Sequence, residues 1–321
     1  MMRVGLRALS LSSAFAFTCA SAFGVASLAA CGGSSRTPPR EAQLAVAHAD
    51  PRVGTYTSSV RGFVTSSYWI EGPDGLVLID TQFLTSAADE LVDWAERSTG
   101  KSVVLAIVLH PNPDKFNGTG ALRRRGIRVV TSEQVRRAIP AVHEKRLRAF
   151  YDRYKPDYPK EIALPESFGD RTTDIPAAGI TLRAHVLGAG CSESHVVVEF
   201  DGHLFPGDLV ANDNHSWLEL GSIDEWLARV DEMRAMKPRF VHPGRGPSGE
   251  ASLLDAEAAY LNFVAGAVAE EKPTLPVRAD AVERIKRRIV ERYPYEYDVF
   301  LDFGIPAVWE KQAGAAGASS K

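Results

Sequence analysis

Cysteine is scarce in this chain: 321 residues hold only Cys19, Cys31 and Cys191. The first two fall within or at the end of an N-terminal stretch that reads as a leader, which leaves Cys191 alone in the folded part. One thiol cannot close an internal disulfide, so a disulfide-stapled architecture is excluded. A surplus of positive charge is missing as well. Lysine and arginine number 37 against 40 aspartates and glutamates, a net charge of −3. Without Arg3 and Arg7 of the leader the balance is 35 to 40, or −5. The basic clusters at 123–125 and 286–288 are short and suit solvated helix faces, so nothing asks for a nucleic-acid partner. No internal repeat of fixed short period occurs. What is present, 45% hydrophobic and 24% charged residues, fits one large or two modest globular domains.

After Arg3 and Arg7 comes ALSLSSAFAFTCASAFGVASLAA, with no charge before Arg36. A basic start ahead of an apolar, small-residue core reads as a secretory signal. The sequence Leu28-Ala29-Ala30-Cys31 resembles the bacterial lipobox. That resemblance implies lipidation at Cys31, a membrane partner through that lipid, and a bacterial cell-envelope location with the folded part outside the cytoplasm. The same run is long enough to span a bilayer, so a plain anchor stays open. The expected organisation is a signal peptide over 1–30, a Gly-, Ser- and Pro-rich tether over 31–50, a main domain over 51–271 and a helical C-terminal extension over 272–321.

Within the main domain, strand-like and helix-like segments alternate. SSYWIEG and LVLID flank the Pro73-Asp74-Gly75 turn, a hairpin signal. Residues 86–98 carry apolar residues at helical spacing, and VVLAIVL (103–109) is the continuous apolar run of a buried strand. Further strands are expected at 127–130, 181–187, 195–202, 203–210 and 239–242. Helices are expected over 132–154, 222–236 and 279–293, and from a Ser248 cap to 271. The Pro-rich stretch 156–175 reads as a loop placed to act as a lid. Strands interleaved with helices in both halves predict a layered α/β fold.

The chemistry-bearing residues lie directly after the apolar strands. In LHPNPDKFNG (109–118), His110 and Asn112 each precede proline, which favours extended backbone. His110, Asn112 and Asp114 therefore project together from a strand end, where ligand sites form in α/β folds. A helix cap at Asp114 and a hydrogen-bonded loop histidine at His110 are the plainer readings. LGAGCSESH (187–195), FPGDLV (205–210) and VHPGRGP (241–247) each set a glycine beside a candidate ligand.

With these four stretches and the preceding LVLIDT, the chain over about 55–271 resembles the metallo-β-lactamase-fold hydrolase superfamily. The resemblance implies a four-layered αββα sandwich with a metal site along one edge of two sheets. It also implies a hydrolase acting on a small-molecule substrate such as a lactam, thioester, lactone or phosphate or sulfate ester. The family's His-x-His-x-Asp-His motif reads His110-Pro-Asn112-Pro-Asp114-Lys115 here. Its Gly-His-Thr motif reads Gly190-Cys191-Ser192, and its Pro-Gly-His-Gly motif reads Pro243-Gly244-Arg245-Gly246. Gly207-Asp208 is intact.

Carried over residue by residue, a first zinc is expected on His110, Asn112 and Cys191, with Asp208 as a bridge. Imidazole, thiolate and carboxylate suit zinc, and an amide oxygen suits it less. At the second site Lys115 and Arg245 replace imidazoles and offer no lone pair. The expectation is a salt-bridged cluster of Asp114, Asp208, Lys115 and Arg245 in place of the second ion, hence one zinc at most. Asp80 is expected behind the ligands, holding the first motif's loop, with His195 as a structural neighbour and His215 at the pocket rim. Asp114 would position a metal-bound water, and Lys115 and Arg245 would stabilise an oxyanion or grip an anionic ester. Two other readings stand beside this metal-dependent hydrolase: a non-catalytic binding lipoprotein on the same fold, and a metal-free thiol enzyme using Cys191 with His110 as base.

Overall fold

The computed structural model describes residues 50–319. The signal segment, Cys31 and the tether up to residue 49 lie outside the described residues. Strands β1 (Val53–Thr57), β2 (Ser66–Gly72), β3 (Gly75–Ile79), β4 (Val103–Ile107), β5 (Arg128–Thr131) and β6 (Glu166–Ser167) form one six-stranded sheet in that order. The hairpin forms as its turn residues predict, with Gly72 opposite Gly75. From β3 onward the neighbours run parallel. Helices α1 (Thr85–Thr99), α2 (Pro113–Phe116), α3 (Thr119–Arg124) and α4 (Glu133–Tyr154) lie in the connections. Parallel neighbours on both sides explain why β4 reads as an unbroken apolar run.

The second sheet has the order β12 (Gly249–Glu250), β11 (Phe240–Arg245), β10 (His203–Ala211), β9 (His195–Phe200), β8 (Ile180–Leu187), β7 (Thr173–Ala177). Its pairs are antiparallel except β10 with β11, which α5 (Ile223–Ala235) connects in a parallel return. The two sheets meet through Tyr68, whose hydroxyl donates to the Pro243 carbonyl at 2.7 Å and whose ring packs on Phe205 and His242. Helix α1 buries Ala88, Leu91, Val92 and Ala95 and contacts the first sheet. Of these, Leu91 and Val92 each contribute roughly 1.5–3 kcal/mol by their burial. On the second sheet lie α5 and α6 (Ser252–Glu270), and α7 (Ala279–Arg292) and α8 (Leu301–Ser319) pack in turn on α6. The four-layered sandwich and the helical C-terminus are therefore as the sequence predicts.

Two local expectations differ. Helix α6 starts at Ser252 with no side-chain cap, because Ala251 holds the cap position, while Ser248 lies before β12 and its hydroxyl pairs with His242 Nδ1 at 2.9 Å. The stretch 156–175 is not loop throughout. It contributes β6 and the start of β7, and Tyr158 is buried in an aromatic cluster with Phe83, Leu84 and Tyr154.

Candidate functional site

Five chain segments deliver polar side chains to one edge of the sandwich. Asp80 follows β3 with φ of 66°, a left-handed conformation rare outside glycine. Its Oδ1 accepts the Leu109 N–H at 2.9 Å, tying the end of β3 to the loop after β4. Gln82 also has positive φ, 78°. Its amide donates to the Thr65 carbonyl (3.1 Å) and Ser67 Oγ (2.8 Å), holding that conformation. The loop after β4 places His110, and Pro113 at the first position of α2 presents Asp114 and Lys115 in the opening turn. Asn112 precedes that helix without capping it through its side chain. Register irregularities between β10 and β11 re-aim Asp208. Gly244 is required there, since a Cβ would lie 2.0 Å from Asp208 Oδ1.

Asp114, Lys115, Asp208 and Arg245 form one buried ion cluster. Lys115, fully buried, brings Nζ to 2.8 Å from Asp208 Oδ1, 3.3 Å from Asp114 Oδ2 and 3.7 Å from Asp80 Oδ2. Arg245 bridges the same two carboxylates, with Nη1 2.5 Å from Asp208 Oδ2 and Nη2 2.8 Å from Asp114 Oδ2. Thr65 Oγ1 lies 3.2 Å from Asp114 Oδ2, and the Phe63 carbonyl accepts from Arg245 Nε at 3.3 Å. The Lys115 contacts are ion contacts rather than aligned hydrogen bonds, since Nζ has no bond of good geometry.

Electrostatics follow from this pairing. Burial pushes Asp208 and Asp114 up, but the two cations outweigh it, holding Asp208 well below and Asp114 below the ordinary carboxylate range. Asp80 is farther from Lys115, so burial dominates and its pKa rises to about 7. Burial would also discharge Lys115, yet three surrounding carboxylates keep it charged, above its ordinary value.

A second cluster lies beside the first. Cys191 Sγ is 4.0 Å from His110 Nδ1 and 3.8 Å from His195 Nε2. These three donors all lie within 4.8 Å of one another, in buried surroundings. His110 turns its other nitrogen, Nε2, toward Asp208 Oδ2 at 3.6 Å. Cys191 and Asp208 thus face opposite nitrogens of one ring, and the structure groups His195, not Asp208, with His110 and Cys191. Burial, reinforced by the Asp208 charge, pushes the Cys191 thiol well above its usual pKa, and burial holds His195 neutral. No poised thiolate is supplied for a Cys191–His110 nucleophile.

Above the ion cluster opens a pocket of about 60 Å³. Its floor includes Asn112, Asp114, Asp208 and Arg245, and its walls are Phe63, Phe83, Phe150, Trp217 and Phe300, with Arg146 beside Trp217. Sequence reasoning missed this aromatic wall. The one local signal was Phe83, directly after the LVLIDT strand. No residue of 156–175 lines the pocket. Nor does His215, which is buried and pairs through Nδ1 with the Tyr260 hydroxyl at 3.0 Å.

The donor chemistry decides which metal positions the residues fit. The second-ion position does not fit: both carboxylates are paired with cations that cannot ligate. At the first, Asn112 stands on the pocket floor and Asp208 is held by Lys115 and Arg245, while His110, Cys191 and His195 form a set of zinc-type donors.

Comparisons with known proteins agree with this architecture. Residues 60–245, more than half of the chain, match the family described as the Metallo-beta-lactamase superfamily. The metallo-beta-lactamase type 2 of Bacillus sp. (strain 170) is 26% identical over 191 residues, covering 56% of this chain and 66% of that protein. That of Bacillus cereus is 25% identical over the same shares. The chain therefore spans just under two thirds of the curated relatives it matches. A solved metallo-beta-lactamase from Pontibacter korlensis superposes with a TM-score of 0.52 at 23% identity, over 67% of this chain and 97% of that one. One from Erythrobacter litoralis gives 0.51 at 17% identity, over 67% and 95%. At such identities the structural likeness is one of fold.

Proposed function

The chain belongs to the metallo-beta-lactamase superfamily, and from that premise we propose that it is a small-molecule-binding member whose second metal ion has been replaced by side-chain cations. The observation that carries this reading is the double bridging of Asp114 and Asp208 by Lys115 and Arg245 at 2.5–3.3 Å. Both carboxylates are neutralised by groups that stay charged, so they have no remaining need of a cation. Above them, a small pocket is walled by five aromatic rings. The ligand we infer is an apolar, ring- or chain-bearing molecule without strong net charge. The anionic ester loses its support, because Arg245 is held by two carboxylates and Lys115 is fully buried. The leader and its lipobox-like end support an exported protein anchored through Cys31.

A single-zinc hydrolase is the second reading, favoured by the His110, Cys191 and His195 donors. A bound zinc would supply Lewis-acid polarisation and a nucleophilic water. Against it, none of the three side chains lines the pocket. One experiment separates the readings. The purified full-length protein is assayed with a chromogenic β-lactam, an aryl ester and a thioester, with zinc and with chelator, while tryptophan fluorescence is followed during titration with apolar aromatic probes. We expect no turnover and saturable quenching that Trp217→Ala diminishes. Turnover that chelation abolishes would refute the binding reading.

A further inference from the structure

We infer that His110 Nδ1, Cys191 Sγ and His195 Nε2 form a closed site for one thiophilic transition-metal ion, which staples the two sheets and takes no part in the pocket. The inference does not depend on what the pocket binds. Two of the residues occupy family motif positions, but the third does not: His195 lies four residues beyond Cys191, at the start of β9. His110 comes from the loop after β4 of the first sheet, Cys191 from the loop between β8 and β9 of the second, and His195 from the start of β9. An ion held by all three would therefore cross-link the layers.

The placement of the donors points to a ligand. They stand 4.0 and 3.8 Å apart along the Cys191 edges, and all three lie within 4.8 Å of one another. Tetrahedral zinc with its usual bond lengths needs roughly 3.3–3.6 Å between donors, so the Cys191 edges need contract by only a few tenths of an ångström, and the two imidazoles close the third edge around the ion. His110 turns Nε2 toward the Asp208 carboxylate at 3.6 Å, an ion-range contact and not a hydrogen bond, which leaves Nδ1 as the nitrogen on the Cys191 side. The Ser192 N–H donates to His195 Nε2 at 3.2 Å, so that nitrogen is the unprotonated one of its ring, and the ion would take over its lone pair from this bond. Ser192 Oγ, 3.1 Å from His110 Nδ1, must likewise yield that nitrogen to the ion. Two imidazoles with one thiolate suit zinc or copper over magnesium or calcium. All three side chains are at most 2% exposed and off the pocket wall, which leaves no face of the ion toward a substrate.

The test is titration of the full-length protein with cobalt(II) as a spectroscopic probe and with zinc, read by elemental analysis, absorption and thermal melting. One equivalent is expected. It should give an intense ultraviolet thiolate-to-cobalt band and a raised melting temperature. Cys191→Ser should lose the band, and His195→Gln should weaken binding about tenfold or more. Because either variant can fail to fold, X-ray absorption at the zinc edge of the unaltered protein gives an independent reading. One sulfur at about 2.3 Å and two imidazole nitrogens at about 2.0–2.1 Å are expected. The inference is overturned if no ion binds, if the zinc lacks a sulfur neighbour, or if His195→Gln binds as tightly as the unaltered protein.

Discussion

Replacing Lys115 by methionine keeps the apolar stem and removes the charge from the centre of the ion cluster. Its ammonium is fully buried between Asp208 at 2.8 Å, Asp114 at 3.3 Å and Asp80 at 3.7 Å. Deleting one partner of a buried ion set typically costs about 3–5 kcal/mol, since charge is left uncompensated. The sign with pH follows from the shifts. In the native protein Asp208 and Asp114 lie below their ordinary pKa of 3.8. Their contribution is thus present above that value and lost as pH falls through their folded pKa. Without Lys115, burial pushes these carboxyls upward, and Asp80, already near 7, rises further. The folded variant then holds protons that the unfolded chain has released, and stability is lost as pH rises. Urea unfolding followed by circular dichroism at pH 5 and pH 8 should show a deficit of about 3 kcal/mol that grows toward about 5 at the higher pH. A variant within about 0.5 kcal/mol of the parent, or a deficit that shrinks with rising pH, would refute the reasoning.

Other outcomes follow from the same geometry. Glu257 is buried against Ala211 N–H (3.1 Å) and Ser216 Oγ (2.8 Å), and burial raises its pKa from 4.5 to about 7. Its contribution is full below pH 4.5 and is lost as pH approaches 7, a swing of about 3 kcal/mol. Glu257→Gln should therefore gain stability relative to the parent between pH 5 and pH 8, read by melting temperature at the two values. Phe83 packs edge-on against Phe63, Phe150, Tyr154 and Tyr158. Phe83→Ala should cost about 3–5 kcal/mol in urea unfolding and weaken aromatic probe binding measured by fluorescence titration. The double variant Lys115→His with Arg245→His returns lone pairs to the second-ion position, and elemental analysis should find one more zinc per chain than in the parent.

Much of this was legible in the sequence, for physical reasons that can be named. Alternating and continuous apolar runs locate β2, β3 and β4 because burial on one or both faces dictates them. Lys115 and Arg245 announce the ion cluster because neither can donate a lone pair to a metal, wherever the backbone places it. Other features were out of reach. Which nitrogen of His110 faces Cys191 and which faces Asp208 depends on ring orientation set by tertiary packing, and spacing alone does not bring His195 beside His110 and Cys191. The aromatic wall draws Phe63, Phe83, Phe150, Trp217 and Phe300 from five separate segments, and no local pattern links them. Ser248 reads as a helix cap on propensity alone, yet His242 holds its hydroxyl.

The central claim is that an ammonium and a guanidinium stand where the family's second ion would be. Anomalous diffraction at the zinc edge, from crystals grown with excess zinc, tests it most directly. The account predicts Lys115 Nζ between Asp114 and Asp208 with no zinc bound to either carboxylate. A zinc peak coordinated by both Asp114 and Asp208, with Lys115 displaced, would contradict it.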